Sequence, residues 1–407
     1  MYARFLPVIV LAASFPGMAA EPGETYDYTN DFEYDYVLGI GDAGETITGG
    51  AHYVVRYDNR REPIDYQNTA SKLHPTLTGT YLKYDASRTS GSSDWDVFAS
   101  NWWPQSKNGV GWRWTGGSQD YSDHSDTDKL SPIEKYDLLF HPGQTQTVAA
   151  VEHWNYTELD TPEAERGPKH SHPQFQALGP ATAWELKEHG IYQSYHPDSW
   201  WGHCNGWASY VTADDGGAPE RDIEVKVVNG QIRECAASES GCVLFRMGDI
   251  EALMGELYFN DTATFDGRRC NTSSDDMVFD EHGRPTDVAC RDINAGTFHI
   301  AVVGLLNRGA DHLATGAPGY PPFVIDYSYD HQVWNYPLTK YLINHTEEVT
   351  EAQAAALVGA DSDYLWNASA TKFVRVDMTY YMVSDSVGVS AMLLQADQRN
   401  VSLDPNE

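Results

Sequence analysis

The sequence predicts an α+β fold: its clearest helix signals come early, and its later half is dominated by apolar runs that read as antiparallel strands. Two stretches carry the helices. Ser131-Pro132-Ile133-Glu134 places a serine at the N-cap, a proline at the first helical position and a glutamate three residues on, which is a capping box. Ala181 to His189 is closed by Gly190 at the C′ position. The strands rest on Phe373 to Val383, where Val374, Val376, Met378, Tyr380 and Met382 alternate with Arg375, Asp377 and Thr379. No internal repeat or coiled-coil heptad competes with this reading.

In chain order, Arg4, the apolar run Phe5 to Ala13 and the small residues Met18-Ala19-Ala20 form a signal peptide. Cleavage near Ala20 makes the mature protein secreted or periplasmic. The apolar run is too short to cross a bilayer, so no membrane span is expected. Residues 21–95 read as an acidic N-terminal extension and a candidate pro-segment, and residues 96–407 as the catalytic domain. Glu21 to Gly41 is acidic, tyrosine-rich and tail-like; short strand-like pieces follow at Tyr53-Val54-Val55 and Thr80-Tyr81-Leu82. With 59 acidic against 27 basic residues, the surface is strongly negative, which excludes a nucleic-acid partner.

Within 96–407 the texture changes at Asn101-Trp102-Trp103-Pro104. The helix after Ser131 lays Ile133, Tyr136 and Phe140 on one face until Pro142-Gly143 stops it, and the second buries part of Trp184 and Leu186. Ile223 to Val228 followed by Asn229-Gly230 predicts a hairpin with a type I′ turn. Asp249 caps a helix bearing Ile250, Leu253, Met254 and Leu257, and a polar loop runs on to Cys290. Thr297 to Leu305 and Pro322 to Ser328 read as strands joined by a Gly/Asp-rich connection, and Thr350 with Gln353 starts a helix that ends at Gly359.

The chain has five cysteines, so an exported protein leaves at least one unpaired. Cys235 with Cys242 and Cys270 with Cys290 are the pairs closest in sequence, which leaves Cys204. It lies where the polar loop from Ser199 gives way to a helix, and unpaired backbone N–H groups there favour thiolate. The competing reading is a small buried apolar group. A cysteine nucleophile needs a base and a group to orient it. One solution runs cysteine at a helix start, histidine on a strand, then aspartate on the next; Cys204, His299 and Asp326 offer that order. Each polar residue interrupts an apolar strand, where an ionisable group costs free energy unless paired. Asp330 with His331 is a rival pair in a polar stretch. Trp200, Trp201 and Trp207 are candidate walls of a substrate groove. His170, His172, His196 and His203 cluster in sequence without a familiar zinc spacing, and Asp214-Asp215-Gly216 and Asp275-Asp276 match no EF-hand. The residues therefore require no cofactor, and metal ligands stay unknown.

These stretches carry a resemblance. WWGHCNGWA around Cys204, DIEALMGELY from Asp249, CRDINAGTFHIAVV from Cys290 and FVIDYSYDHQVWNYPL from Phe323 are similar to the transglutaminase elicitor family of oomycete plant pathogens, which has bacterial members. SPIEKYD at Ser131 and NWWP at Asn101 also fit, so the resemblance spans about residues 95 to 345. Val333-Trp334-Asn335-Tyr336-Pro337-Leu338 resembles the family's VWNQPV, the fragment perceived by plant defence, with Tyr336 and Leu338 as departures. The resemblance implies a papain-like, transglutaminase-like cysteine core with an antiparallel sheet and the triad Cys204, His299 and Asp326. It also implies γ-glutamyl transfer between glutamine and lysine of protein substrates through a thioester, with calcium as cofactor. The same triad serves a cysteine peptidase or a glutamine deamidase, and a non-enzymatic elicitor would keep the core without using the thiol.

Overall fold

The computed structural model describes residues 8–12, 34–41, 47–48, 61–62, 70–73, 77, 79–93, 97–116, 121, 123–148, 152–153, 170–171, 176–193, 197–213, 217–279, 285–291, 293, 295–315, 323–326, 331–358, 366–367 and 370–394. Its helices are α1 (Pro132–Phe140), α2 (Pro180–Glu188), α3 (Cys204–Val211), α4 (Met247–Leu257), α5 (Ala295–Thr315) and α6 (Glu351–Val358). The strands used below are β1 (Val8–Ala12), β2 (Tyr34–Gly41), β3 (Ile47–Thr48), β4 (Ser90–Ser92), β5 (Ile223–Val228), β6 (Gln231–Glu234), β7 (Val243–Phe245), β8 (Ala263–Asp266), β9 (Phe323–Asp326), β10 (Tyr336–Val349) and β11 (Ala370–Met382). The large sheet runs β8-β1-β9-β10-β11-β2-β3, with β4 also on β10. Apart from β1, which lies parallel to β8 and β9, its pairs are antiparallel. Thus the uncleaved chain places the apolar run of the expected signal peptide in the sheet. A three-stranded antiparallel sheet, in the order β6-β5-β7 with β5 central, stands apart from it. Among the described residues no helix is long and apolar enough to cross a membrane.

Local signals behaved as chemistry dictates. Ser131 and Glu134 form the capping box at α1, and Thr350 with Gln353 exchanges bonds ahead of α6. Asn229 and Gly230 take φ of 53° and 77°, the signs a type I′ turn needs between β5 and β6. Both expected disulfides form, Cys235–Cys242 and Cys270–Cys290, and Cys204 is the free cysteine.

Other expectations are corrected. Thr297 to Leu305 is not a strand but part of the 21-residue α5. Phe298, Ile300, Ala301, Val302, Val303, Leu305 and Leu306 are all buried, so this helix is apolar around its circumference there and shows no amphipathic period. Its side chains pack with Ile325, Leu338, Tyr341, Val374, Val376 and Met378 into the main core. Thr80-Tyr81-Leu82 lies in a 3-10 turn, Gly79–Leu82, while Tyr53-Val54-Val55 lies outside the described residues. The expected tail contributes β2, paired along β11, and Leu73, Leu77 and β4 join the core or sheet. The polar loop before Cys290 contains β8.

The apolar stripes of the early helices are thinner than expected, since Phe140, Trp184 and Leu257 are 39%, 47% and 73% exposed. What α1 buries instead is charge. Arg113 donates to both oxygens of Glu134, at 2.8 and 2.6 Å, and Lys135 donates to Asp249 at 2.5 Å. Asp249 is not the N-cap of α4 but its third residue, where Oδ2 accepts the Arg246 backbone N–H at 2.8 Å.

Candidate active site

Cys204 is the first residue of α3, and the preceding loop is pinned from behind. The His203 N–H donates to the Trp102 carbonyl at 2.6 Å and the Gln105 N–H to the Trp201 carbonyl at 2.9 Å. A glycine at 206 lets α3 approach α4, because a Cβ there would overlap the carbonyl oxygen of Gly255. Trp207 packs with Phe98, Val324 and Val383 and is only 1% exposed, so it is a core side chain and not a groove wall.

The Cys204 sulfur is roofed by residues 331–335. Asn335 Nδ2 donates to Sγ at 3.2 Å, and the Val333 carbonyl oxygen lies 3.8 Å away. Asp326, at the end of β9, holds this roof by accepting the Trp334 N–H at 3.0 Å, and the Trp334 ring meets Trp102 edge-on at 5.6 Å. His331 begins the segment, with its ring 5.9 Å from Trp200 and Nε2 3.9 Å from an Asp198 oxygen. Half-buried Trp200 and Trp201 stack edge to face at 6.2 Å, with the Arg269 guanidinium over Trp200 at 5.7 Å.

Burial pushes the Cys204 thiol up to about 12, with the Asp385 carboxyl adding to the rise; the bonds from Asn335 and the Asn205 N–H act the other way and lose. The thiolate expected from the helix terminus is therefore not the form of this enclosed sulfur, because desolvation outweighs a terminal dipole. Asp385 is itself fully buried and pushed up to about 7 by that burial, against hydrogen bonds from Ser386 and Tyr336.

Of the expected triad, the structure draws Cys204 and Asp326 to the same five-residue segment and leaves His299 elsewhere. His299 sits in α5 with its ring 5.8 Å from Tyr84, its Nδ1 has no hydrogen-bond partner among the described residues, and burial lowers its pKa to about 3. Residues singled out for elicitor likeness prove to be structural neighbours of the thiol: Val333 and Asn335 touch it, and the Pro337 carbonyl accepts from Val383 at 2.9 Å. Sequence reasoning passed over Asn335 and Asp385 as partners of the sulfur; the available signal was a polar residue just before β10 and another just after β11.

Of the histidines that cluster in sequence, His172 and His196 lie outside the described residues and His170 pairs in a short strand, while His203 meets Glu185, His189 and Glu256, whose ligating atoms all lie within 4.8 Å of one another. Calcium prefers six to eight oxygen ligands, so two imidazoles do not suit it. A second grouping, Cys235, Glu239 and Cys242, has its sulfurs in a disulfide. Asp214 to Gly216 lies outside the described residues, and Asp275 and Asp276 occupy a 3-10 turn without joining a cluster.

No curated protein matches the chain. It is similar to a solved structure, the GP42 transglutaminase from Phytophthora sojae, at 18% identity and a TM-score of 0.39, covering 73% of this chain and 68% of that one. The sequence model described as transglutaminase elicitor matches residues 76–402, a wider span than the motifs around Cys204 alone. That match covers most of the 407 residues, and the chain belongs to the transglutaminase elicitor family.

Proposed function

We propose that the protein is a protein-glutamine γ-glutamyltransferase with a papain-like cysteine core and Cys204 as nucleophile. The observation that carries this reading is the free thiol on the first residue of α3, bonded by the Asn335 carboxamide and roofed by residues 331–335. A base takes the thiol proton, and sulfur attacks the side-chain carboxamide carbon of a substrate glutamine. The C–N bond breaks, ammonia leaves with that proton, and a thioester remains. A lysine amine then displaces the sulfur, which gives an isopeptide and returns a proton to the thiol. The Cys204 N–H at the helix start and Asn335 Nδ2 are the natural donors to the oxyanion.

His331 is assigned as the base, since it opens the segment whose Val333 and Asn335 touch the sulfur. Asp326 is a positioning residue that holds the roof through Trp334. The enclosed thiol describes a resting state. Lifting the roof admits glutamine and removes the burial that keeps sulfur protonated. Trp200, Trp201 and Trp334 then shield the thioester from water, which competes with the amine.

A glutamine peptide and a labelled amine test the reading. The protein should attach the label, Cys204→Ala should attach none, and His331→Ala should slow attachment by at least about 100-fold while His299→Ala does not. The opposite order returns the base to His299. Ammonia release without label identifies a deamidase, and peptide cleavage a peptidase. A second reading, binding without chemistry, is favoured by the 5% exposure of Cys204; it predicts no label from the wild type and unchanged binding in Cys204→Ser.

A further inference from the structure

One residue before the thiol, the chain enters a second polar cluster on the opposite side of the α3 start. His203 is completely buried, with Nε2 2.8 Å from Glu256 Oε2 and 3.6 Å from Glu185 Oε1. His189 Nδ1 lies 3.0 Å from Glu185 Oε2 and 3.9 Å from Glu256 Oε2. The two imidazoles meet edge to face at 4.9 Å, and Phe259 covers both, at 4.8 and 4.9 Å.

His203 Nδ1 lies 3.1 Å from the Trp103 carbonyl oxygen, which can only accept, so Nδ1 carries a hydrogen and Nε2 is the ring atom that faces the two carboxylates. Despite their short separation, His203 Nε2 and Glu256 Oε2 are each left without a hydrogen bond among the described residues, because the oxygen lies off the line an N–H would take. Two imidazole nitrogens and two carboxylates whose ligand atoms all lie within 4.8 Å of one another, two of them without a hydrogen bond among the described residues, form an arrangement that one metal ion would complete. The surroundings are built for it: the Val110 N–H orients Glu185 Oε1 at 2.8 Å, and a carbonyl holding the far nitrogen of His203 is the usual outer-shell support for a metal-binding imidazole. Gly109 leaves room beside the cluster, since a Cβ there would run into Glu185 Oε1 and His203 Cε1.

We propose that Glu185, His189, His203 and Glu256 bind one divalent transition-metal ion, zinc by donor preference, which ties α2, α3 and α4 together beneath the Cys204 loop. Two imidazole nitrogens and two carboxylate oxygens are borderline donors suited to zinc. Metal–ligand distances of about 2.0–2.2 Å place tetrahedral ligands about 3.3–3.6 Å apart, within the spread of 2.8–3.9 Å between the imidazole nitrogens and carboxylate oxygens here. The site calls on no part of the Cys204 chemistry, and its test reads metal and not transfer.

The full-length protein, stripped with a chelator and given one equivalent of zinc, should retain about one ion per chain through dialysis and melt several degrees higher than the stripped protein. Zinc-edge X-ray absorption of the wild type should show nitrogen and oxygen at about 2.0–2.1 Å with imidazole scattering and no sulfur. His189→Ala and Glu256→Gln should each weaken zinc binding at least ~10-fold. Failure of the wild type to retain zinc, sulfur in its coordination shell, or wild-type affinity in a folded variant overturns the site. The absorption measurement needs no variant, so the wild-type spectrum decides for or against the site even where a substitution fails to fold.

Discussion

The two ends of α4 bury charge in opposite ways. At its start, both oxygens of Asp249 are answered: Oδ1 accepts from Trp114 Nε1 at 2.7 Å, and Oδ2 from Lys135 and from the Arg246 N–H. A carboxylate there also sits at the favourable end of the helix dipole. In the last turn, Glu256 sits at the unfavourable end, faces Glu185 across two imidazoles, and has an oxygen with no hydrogen bond among the described residues. The first cluster is complete with the protein's own groups, whereas in the second His203 Nε2 and Glu256 Oε2 face each other at 2.8 Å without a hydrogen bond among the described residues. Completeness of this kind separates a structural ion pair from a site that awaits something.

The largest effect should come from breaking the complete end. Lys135→Met strands a buried carboxylate and should cost about 3–5 kcal/mol in denaturant unfolding, whereas adding Asp249→Asn, which removes the charge but keeps an oxygen for the Arg246 N–H, should recover part of it. An equal loss in the double variant would mean that packing, not charge pairing, distinguishes the two ends. Gly109→Ala is expected to cost about 1–3 kcal/mol, because Gly109 has φ of +57° and the new methyl enters the Glu185 and His203 space. Zinc retention should fall with it, and a drop in stability alone would uncouple Gly109 from the cluster.

A smaller, pH-dependent effect belongs to Glu134 beside Lys135. Burial pushes its carboxyl up, but Arg113 and His124 outweigh that and hold it below the ordinary 4.5. A depressed folded pKa contributes stability that is present above the ordinary value and lost as pH falls through the folded one. Glu134→Gln should therefore melt below the wild type at pH 7, with the gap narrowing toward pH 3. A gap constant with pH would show that the loss is one of packing and hydrogen bonds alone.

How much was legible follows from the reach of each signal. Ser131 with Glu134, Asn229 with Gly230 and the two near-neighbour disulfides are short-range features, so a few residues contain their whole cause. His299 was misplaced because the surrounding run is buried on every side, and such a run has the same apolar texture in a helix as in a strand. The metal-type cluster was half visible: Glu185 and His189 stand four apart on one helix face, but His203 and Glu256 reach them only through packing. Asn335 was noticed for its motif and not as the donor to Cys204.

By itself the sequence determined which cysteine stays free, where the early helices begin, and that the chain mixes helices with an antiparallel sheet, since these follow from local bonding and from counting. Only the tertiary structure decided what faces the thiol, that burial raises it, that His299 turns into the α5 core, and that Glu185, His189, His203 and Glu256 converge beside the Cys204 loop. Desolvation and charge balance depend on neighbours far away in the chain, and only the folded packing brings those neighbours together.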